Sequence, residues 1–292
     1  MPSSTPPSAS ASLSSERRRL LPRLARNRSA CIGVAFLSLM SVMALLAPWI
    51  VTHDPLAMSP RQVLRPPSAA NLFGTDQFGR DVWSRVAFGG RISLWLGFIS
   101  VGIAVTLGGV LGLVAGLYPG RIAGPIQWAT EVLLAFPGIL LTLAVSAILG
   151  PGLVQAMVAV GLSAVPYYVR LVRATTLAVT AEPYIEAARA LGGRDLRIAL
   201  LHVLPNIAGP LMVFISIGLG TAVLTGSALT FLGLGAQPPT PEWGGILSEG
   251  RNYMRQAWWI TLFPGVAIML TVLGFNMLGD GLRDTLDATL RG

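Results

Sequence analysis

The chain has 292 residues, 53% hydrophobic and only 12% charged, with a formal net charge of +8 and a mean hydropathy of +0.65. Soluble domains carry about 25% charged residues, so this composition excludes an ordinary soluble fold and points to a chain that crosses a membrane repeatedly. All 21 basic residues are arginine, so no lysine is available to a nucleotide-binding phosphate loop, and with one cysteine (Cys31) and two histidines (His53, His202) a disulfide is excluded and a Cys/His zinc site disfavoured.

Residues 1–15 are rich in Ser, Pro and Ala and read as disordered. Arg17, Arg18, Arg19, Arg23, Arg26 and Arg28 complete a basic tail over residues 1–28. An uncharged run from Ser29 to Thr52 follows. At ~1.5 Å per residue it spans a bilayer, and it exceeds the roughly 7–15 residues of a signal-peptide core. It reads as an uncleaved first span, in which Cys31 is a small packing residue. With the polar connection from His53 to Arg91 it forms a unit over residues 29–91. In that connection Asp81 is placed to cap a short helix through Phe88, with Gly89 and Gly90 ending it. Trp83 and Phe88 suit a membrane–water interface.

Residues 92–280 form the core. Ile92–Tyr118 is the second apolar run, and Gly108, Gly112 and Gly116 recur on one of its faces. Small residues at that spacing admit close helix contact, either with this chain or with another subunit. Pro119–Pro125 is a turn. The uncharged run after Glu131 lasts until Arg170, and Gly150–Gly152 breaks it into the third and fourth spans. Ile207–Ala236 is the fifth run, Gln237–Arg255 a polar loop, Gln256–Gly279 the sixth run, and residues 281–292 a charged tail.

The expected class is all-α, polytopic, with six transmembrane helices and both termini in the cytoplasm. On that topology 14 arginines lie inside and 7 outside, as the positive-inside tendency requires. The net charge therefore reads as membrane orientation, not as nucleic-acid binding. The first outside loop holds five arginines, more than the tendency favours, so it is expected to pack on the protein. The spans contain almost no ionisable residue, which disfavours a proton-coupled carrier, although broken helices can also hold sodium through carbonyls. No ring of charge marks a channel. Pro137, Pro166, Pro210 and Pro264 either kink moving helices or are tolerated by their neighbours.

The polar stretch from Ala181 to Asn206, AEPYIEAARALGGRDLRIALLHVLPN, interrupts this pattern. Pro183 suits a helical first turn, and Glu182 suits the positive end of the helix dipole. Gly192 and Gly193 supply a left-handed stop. Asp195 is placed to cap a second helix running to about Leu204, with Pro205 ending or bending it. Glu186, Ala187 and Ala188 offer a low-relief surface for a partner's backbone. The same pattern also suits a hairpin lying on lipid, with Arg189, Arg194 and Arg197 meeting anionic headgroups.

Glu186, Ala187, Ala188, Gly192, Leu204 and Pro205 fall on the coupling-loop signature of ATP-binding-cassette (ABC) importer permeases, which this stretch resembles. His202 stands where that signature has Ile, a departure common in the peptide-transporting branch. FGTDQFGRDVWSRVAFGGRISL (Phe73–Leu94), FLGLGAQPPTPEWG (Phe231–Gly244) and LGDGLRDTLD (Leu278–Asp287) are similar to further segments of the C-type permease of dipeptide, oligopeptide and nickel importers. The resemblance implies a type I importer permease fold in a bacterial cytoplasmic membrane. It implies coupling to ATPases through Glu186, Ala187, Ala188, Gly192, Gly193, Asp195, Leu204 and Pro205. It also implies no catalysis and no cofactor in this chain, with ATP bound by two ATPase subunits. The further implied partners are a homologous second permease, an extracytoplasmic binding protein and membrane lipid. A self-sufficient secondary transporter and a membrane scaffold remain the competing readings.

Overall fold

A computed structural model describes residues 24–290. The expected disorder of residues 1–15, the tail arginines Arg17, Arg18, Arg19 and Arg23, and Arg291 lie outside the described residues. The described chain is built of helices joined by irregular segments, with an isolated bridge between Thr75 and Asp81. Helices α1 (Arg28–Ile50), α2 (Val82–Leu117), α5 (Leu153–Thr180), α7 (Asp195–Phe231) and α9 (Trp259–Leu290) are long and apolar enough to cross a membrane. Helices α3 (Ala123–Leu134) and α4 (Gly138–Leu149) meet at 99° and supply a sixth crossing if taken as one broken span. Two short helices lie at opposite ends of the bundle, α6 (Pro183–Ala190) and α8 (Trp243–Gly250).

Asp81 caps α2 as expected, its carboxylate accepting from the Ser84 amide at 2.8 Å. The expected stop at Gly89 and Gly90 is absent. The helix runs on without a break into the second apolar run, for 36 residues. These glycines serve packing instead: a Cβ on Gly89 would collide with the Pro241 carbonyl, and one on Gly90 would sit 3.1 Å from the Trp243 ring. Trp83 and Phe88 are half-buried against the core, with Trp83 edge-on to Phe73 at 5.0 Å. The break at Gly150–Gly152 is real, with φ +83° at Gly150 and +151° at Gly152. A second break, at Ala135–Pro137, leaves each half 12 residues long. At 1.5 Å per residue such a half is too short for a hydrocarbon core of about 30 Å. Pro137 precedes the first helical residue of α4, where its missing N–H leaves no gap.

Close approach at glycine holds the helices together, because lipid tails offer no hydrophobic drive for association and packing must supply it. The stripe on α2 faces α5 of the same chain. A Cβ would lie 2.6 Å from Tyr168 at Gly108, 2.7 Å from the Val169 carbonyl at Gly112 and 2.6 Å from Thr176 at Gly116. Gly33 of α1 meets Gly274 of α9 in the same manner, 2.7 Å from the Gly274 carbonyl. Helix α9 extends through Gly281–Leu290, so the start of the expected charged tail is a continuation of the last span. Asn27, which caps α1 through the Ala30 amide, also donates to Asp284 at 3.1 Å and joins the two ends of the described chain.

The α2–α5 contact is testable by substitution. Gly108→Leu should lower the thermal unfolding temperature of the detergent-solubilised protein sharply, an overpacking loss of about 1–3 kcal/mol or more. Gly109→Leu, where a Cβ meets nothing within 4 Å, should leave it unchanged. Equal effects at the two positions would remove the contact from the account of stability.

Candidate functional site

At one end of the bundle α6 and the start of α7 form an elbow. Pro183 occupies the first helical position of α6, with Glu182 as its N-cap residue. The helix ends in a Schellman closure: Gly193 N–H donates to the Ala188 carbonyl at 3.0 Å and Gly192 N–H to Arg189 at 2.9 Å. Gly192 adopts φ +82° and Gly193 does not, so one glycine makes the left-handed corner where two were expected. The second serves the approach, because a Cβ on Gly193 would lie 2.7 Å from the Ala188 carbonyl.

Asp195 does not cap α7. Arg194 is the N-cap residue and Asp195 the first helical one, with no capping bond from its side chain. Its carboxylate acts instead on Tyr118 beyond the end of α2, where interaction with the Asp195 side chain and its negative charge push the pKa of that phenol up. Arg189 stands 4.0 Å from the same carboxylate, an exposed pair of small energetic weight. Pro205 neither ends nor breaks α7. A π-turn over Ala199–Val203 precedes it, with Leu204 N–H reaching back to Ala199. The widened turn absorbs the residue that cannot donate and keeps the rod continuous from Asp195 to Phe231.

The elbow is seated by apolar side chains. Ile185, Ile198, Val203 and Ile207 are buried with Val172 of α5, and Leu113 and Leu117 of α2 pack against them. The opposite face is open: Glu186 and Ala187 are exposed, Ala188 is half-buried, Leu204 and Pro205 are exposed, Leu191 is 90% exposed and Leu196 71%. All eight residues singled out in the sequence thus lie on or beside this elbow. His202 is half-buried near the Tyr184 ring at 6.1 Å, and Asn206 bonds both the His202 carbonyl and the Tyr184 hydroxyl.

The opposite end carries a polar cap that sequence patterning foretold only in part. The loop of residues 51–81 does pack on the protein, with Asn71, Thr75, Asp76, Arg80 and Asp81 buried. Arg80 Nε bonds Asp76 at 2.6 Å, and Arg85 Nη1 bonds Asp76 at 2.5 Å and Glu249 of α8 at 2.8 Å. Arg80 Nη2 also reaches Glu249, at 2.5 Å. Two cations and two carboxylates thus neutralise one another out of water. Close by, Glu242 is fully buried and pairs with no cation among the described residues. It accepts from Ser93 and Ser227 at 2.9 Å each and from the Gly245 amide at 3.0 Å, which caps α8 and ties it to α2 and α7. Trp243 donates to the Val86 carbonyl at 2.9 Å and Trp259 to Thr75 at 3.0 Å. Glu249 was missed because its partners Arg80 and Arg85 lie 169 and 164 residues away in sequence, and Glu242 because its link to Ser93 spans 149 residues, although its bonds to Gly245 and Ser227 are nearer. The one available signal was their spacing with Ile246, which sets all three on one helical side.

Residues 108–292 match the binding-protein-dependent transport system inner membrane component family, and residues 15–67 match the N-terminal TM domain of oligopeptide transport permease C. The dipeptide transport system permease protein of Alkalihalophilus pseudofirmus is 43% identical over 99% of this chain and 95% of its own. The di/tripeptide permease protein of Pseudomonas aeruginosa is 43% identical over 91% of this chain and 90% of its own. The glutathione permease protein of Pectobacterium atrosepticum is 42% identical over 94% and 91%. Among solved structures, an inward-facing form of the MetNI methionine ABC transporter superposes with a TM-score of 0.57 at 21% identity. The match covers 68% of this chain and 95% of that one, a likeness of fold.

The cap yields a prediction. Arg85→Met strands Asp76 and Glu249 with a single cation and should destabilise the protein by about 3–5 kcal/mol. Arg91→Met, at an exposed position of the same helix, should change little. Thermal unfolding in detergent reads both, and the Arg85 loss should persist at high salt because buried pairs are weakly screened.

Proposed function

The chain belongs to the binding-protein-dependent transport system inner membrane component family, and from that premise we propose that it forms half of the membrane pathway of a peptide importer, driven through its elbow by separate ATPase subunits. It is a permease subunit of an ABC importer, of the C-type peptide branch. The proposed cargo is di- and oligopeptides, with glutathione within the same chemical class.

The observation that carries the mechanism is the elbow's two-sided character. One side is locked into the bundle by Ile185 and Ile198, while the other presents Glu186, Ala187, Leu191 and Leu196 to solvent. Exposed apolar side chains around a low-relief helix suit a groove on a partner, and the seat makes any displacement of the elbow a displacement of α5 and α7. Glu186, Ala187, Ala188, Gly192, Gly193 and Asp195 form the proposed contact, and Leu204 and Pro205 form the root through which it moves. Nucleotide must favour one arrangement of the elbows over another for transport to be driven. In this reading nucleotide hydrolysis belongs to the partner subunits and this chain makes no bonds itself. A second, homologous permease completes the pathway, and an extracytoplasmic binding protein delivers the peptide. The elbow and both termini lie in the cytoplasm, and the cap faces outward. The four sequence units (1–28, 29–91, 92–280 and 281–292) then become cytoplasmic tail, peripheral span with cap loop, permease core carrying the elbow at 181–206, and cytoplasmic end.

Gly192 offers a selective test, because a side chain there meets nothing in this chain and yet is strained at φ +82°. In the assembled complex in proteoliposomes, Gly192→Val should leave ATP hydrolysis measurable while peptide uptake per ATP falls about tenfold. Unchanged coupled uptake would show that the corner transmits nothing. Topology is read separately in a Cys31→Ser background. A membrane-impermeant maleimide should reach a cysteine at Gly120 or Gly193 only from the cytoplasmic side and one at Pro239 only from outside; the reverse pattern would overturn the orientation.

A further inference from the structure

Packing accounts for only part of the positive charge at the capped end. Arg80 and Arg85 are buried in the ion cluster, whereas Arg61 and Arg65 of the same loop are exposed. Arg251 and Arg255, just beyond α8, are exposed at the same end. None of these four exposed arginines pairs with a carboxylate among the described residues. The acidic groups nearby are already taken: Asp76 and Glu249 by Arg80 and Arg85, Asp81 by Asn71 and Ser84, and Glu242 by Ser93 and Ser227. Within residues 51–81 and 251–258, Asp54 alone is an exposed carboxylate. The two segments are tied into one body. Ser59 N–H donates to Phe78 at 3.1 Å, Leu64 N–H to Asp76 at 3.0 Å and Thr75 N–H to Arg65 at 2.9 Å, which laces the Arg61 turn onto the loop. Trp259 then joins the second segment to the first through the Thr75 carbonyl at 3.0 Å. The same segments expose Met58, Val63, Phe78 and Met254. Their backbone is largely irregular, which lipid tails would leave unsatisfied, so these apolar side chains stand clear of the hydrocarbon.

We propose that this surface docks a folded protein with an acidic face, the extracytoplasmic binding protein. The proposal deepens the importer reading and rests on it. Arginine on the outer side works against the orientation tendency, and exposed Met and Phe forgo the gain of burial, so neither feature stabilises this chain by itself. An acidic partner accounts for both at once: Arg, Met and Phe are enriched in protein interfaces, and four unpaired cations complement carboxylates. The ion cluster fixes the loop before contact, with the Arg80 guanidinium 4.7 Å from the centre of the Phe78 ring, so docking orders little. A surface held in one shape suits a folded partner better than a fluid layer of headgroups. Opposite charge speeds encounter and is screened by salt, which fits a partner that arrives with peptide and leaves without it.

The test uses the assembled complex in phosphatidylcholine nanodiscs and reads the Kd of its cognate binding protein by surface plasmon resonance. Arg61→Glu combined with Arg251→Glu should raise that Kd about tenfold at low salt, mainly by slowing association, and the gap should narrow as salt rises. Arg61→Lys combined with Arg251→Lys should keep most of the affinity. Arg121→Glu, an equal charge change at an exposed position of the opposite end, should leave it unchanged. Thermal unfolding of the reversed protein should match that of the unsubstituted one, since both positions are exposed. An unchanged Kd, or no binding by the unsubstituted complex, would overturn the docking surface. So would an effect seen only when phosphatidylglycerol is included, which marks a lipid contact, or loss of the second permease on purification, which marks a subunit interface. ATP-driven peptide uptake by the unsubstituted complex in proteoliposomes reports separately on the importer reading. Its presence with an unchanged Kd sinks the docking surface alone, and its absence sinks the reading beneath it.

Discussion

The seat of the elbow is the interaction on which the rest of the structure turns. Ile185 and Ile198 come from the two arms of the elbow, and both are buried against Val172 and the end of α2. Without that seat the short α6 would be a loose hairpin at the mercy of lipid and solvent. With it, α6 cannot move without carrying α5 and α7. The π-turn at Ala199–Val203 serves the same end, because it lets one helix pass Pro205 unbroken. Ile198 at the elbow and Phe214, packed with the central core, lie on one helix, about 24 Å apart at 1.5 Å per residue. The link between them is thus a continuous helix and a packed core, not a chain of loops.

The two ends of the bundle are built from different materials, and the difference has a physical reason. The cap is held by paired charge, Asp76 and Glu249 against Arg80 and Arg85, with Arg85 Nη1 making both of that residue's bonds while its Nε and Nη2 find no partner among the described residues. Such a cluster is costly to half-dismantle, since each stranded ion pays its desolvation in full. Glu242 strengthens the effect by fastening α8 to α2 and α7 through two hydroxyls. The elbow seat is apolar, held by dispersion contacts that are individually weak and collectively large.

Sequence patterning was sufficient where the cause is local. Gly192 reads as a helix stop because only glycine takes φ +82° at ease, and Asp81 reads as a cap because its carboxylate needs only the amide three residues on. It failed where a distant partner decides. Gly89 and Gly90 look like a terminator, and they lie inside a helix because Pro241 and Trp243 need the space. Asp195 looks like a cap and stands instead as the first helical residue, one place past the N-cap Arg194. The second break at Pro137 was hidden in an uncharged run in which the glycines at 150–152 were the louder signal. The cap quartet was half visible, since Asp76, Arg80 and Arg85 lie within ten residues, and Glu249 gives no local sign of joining them.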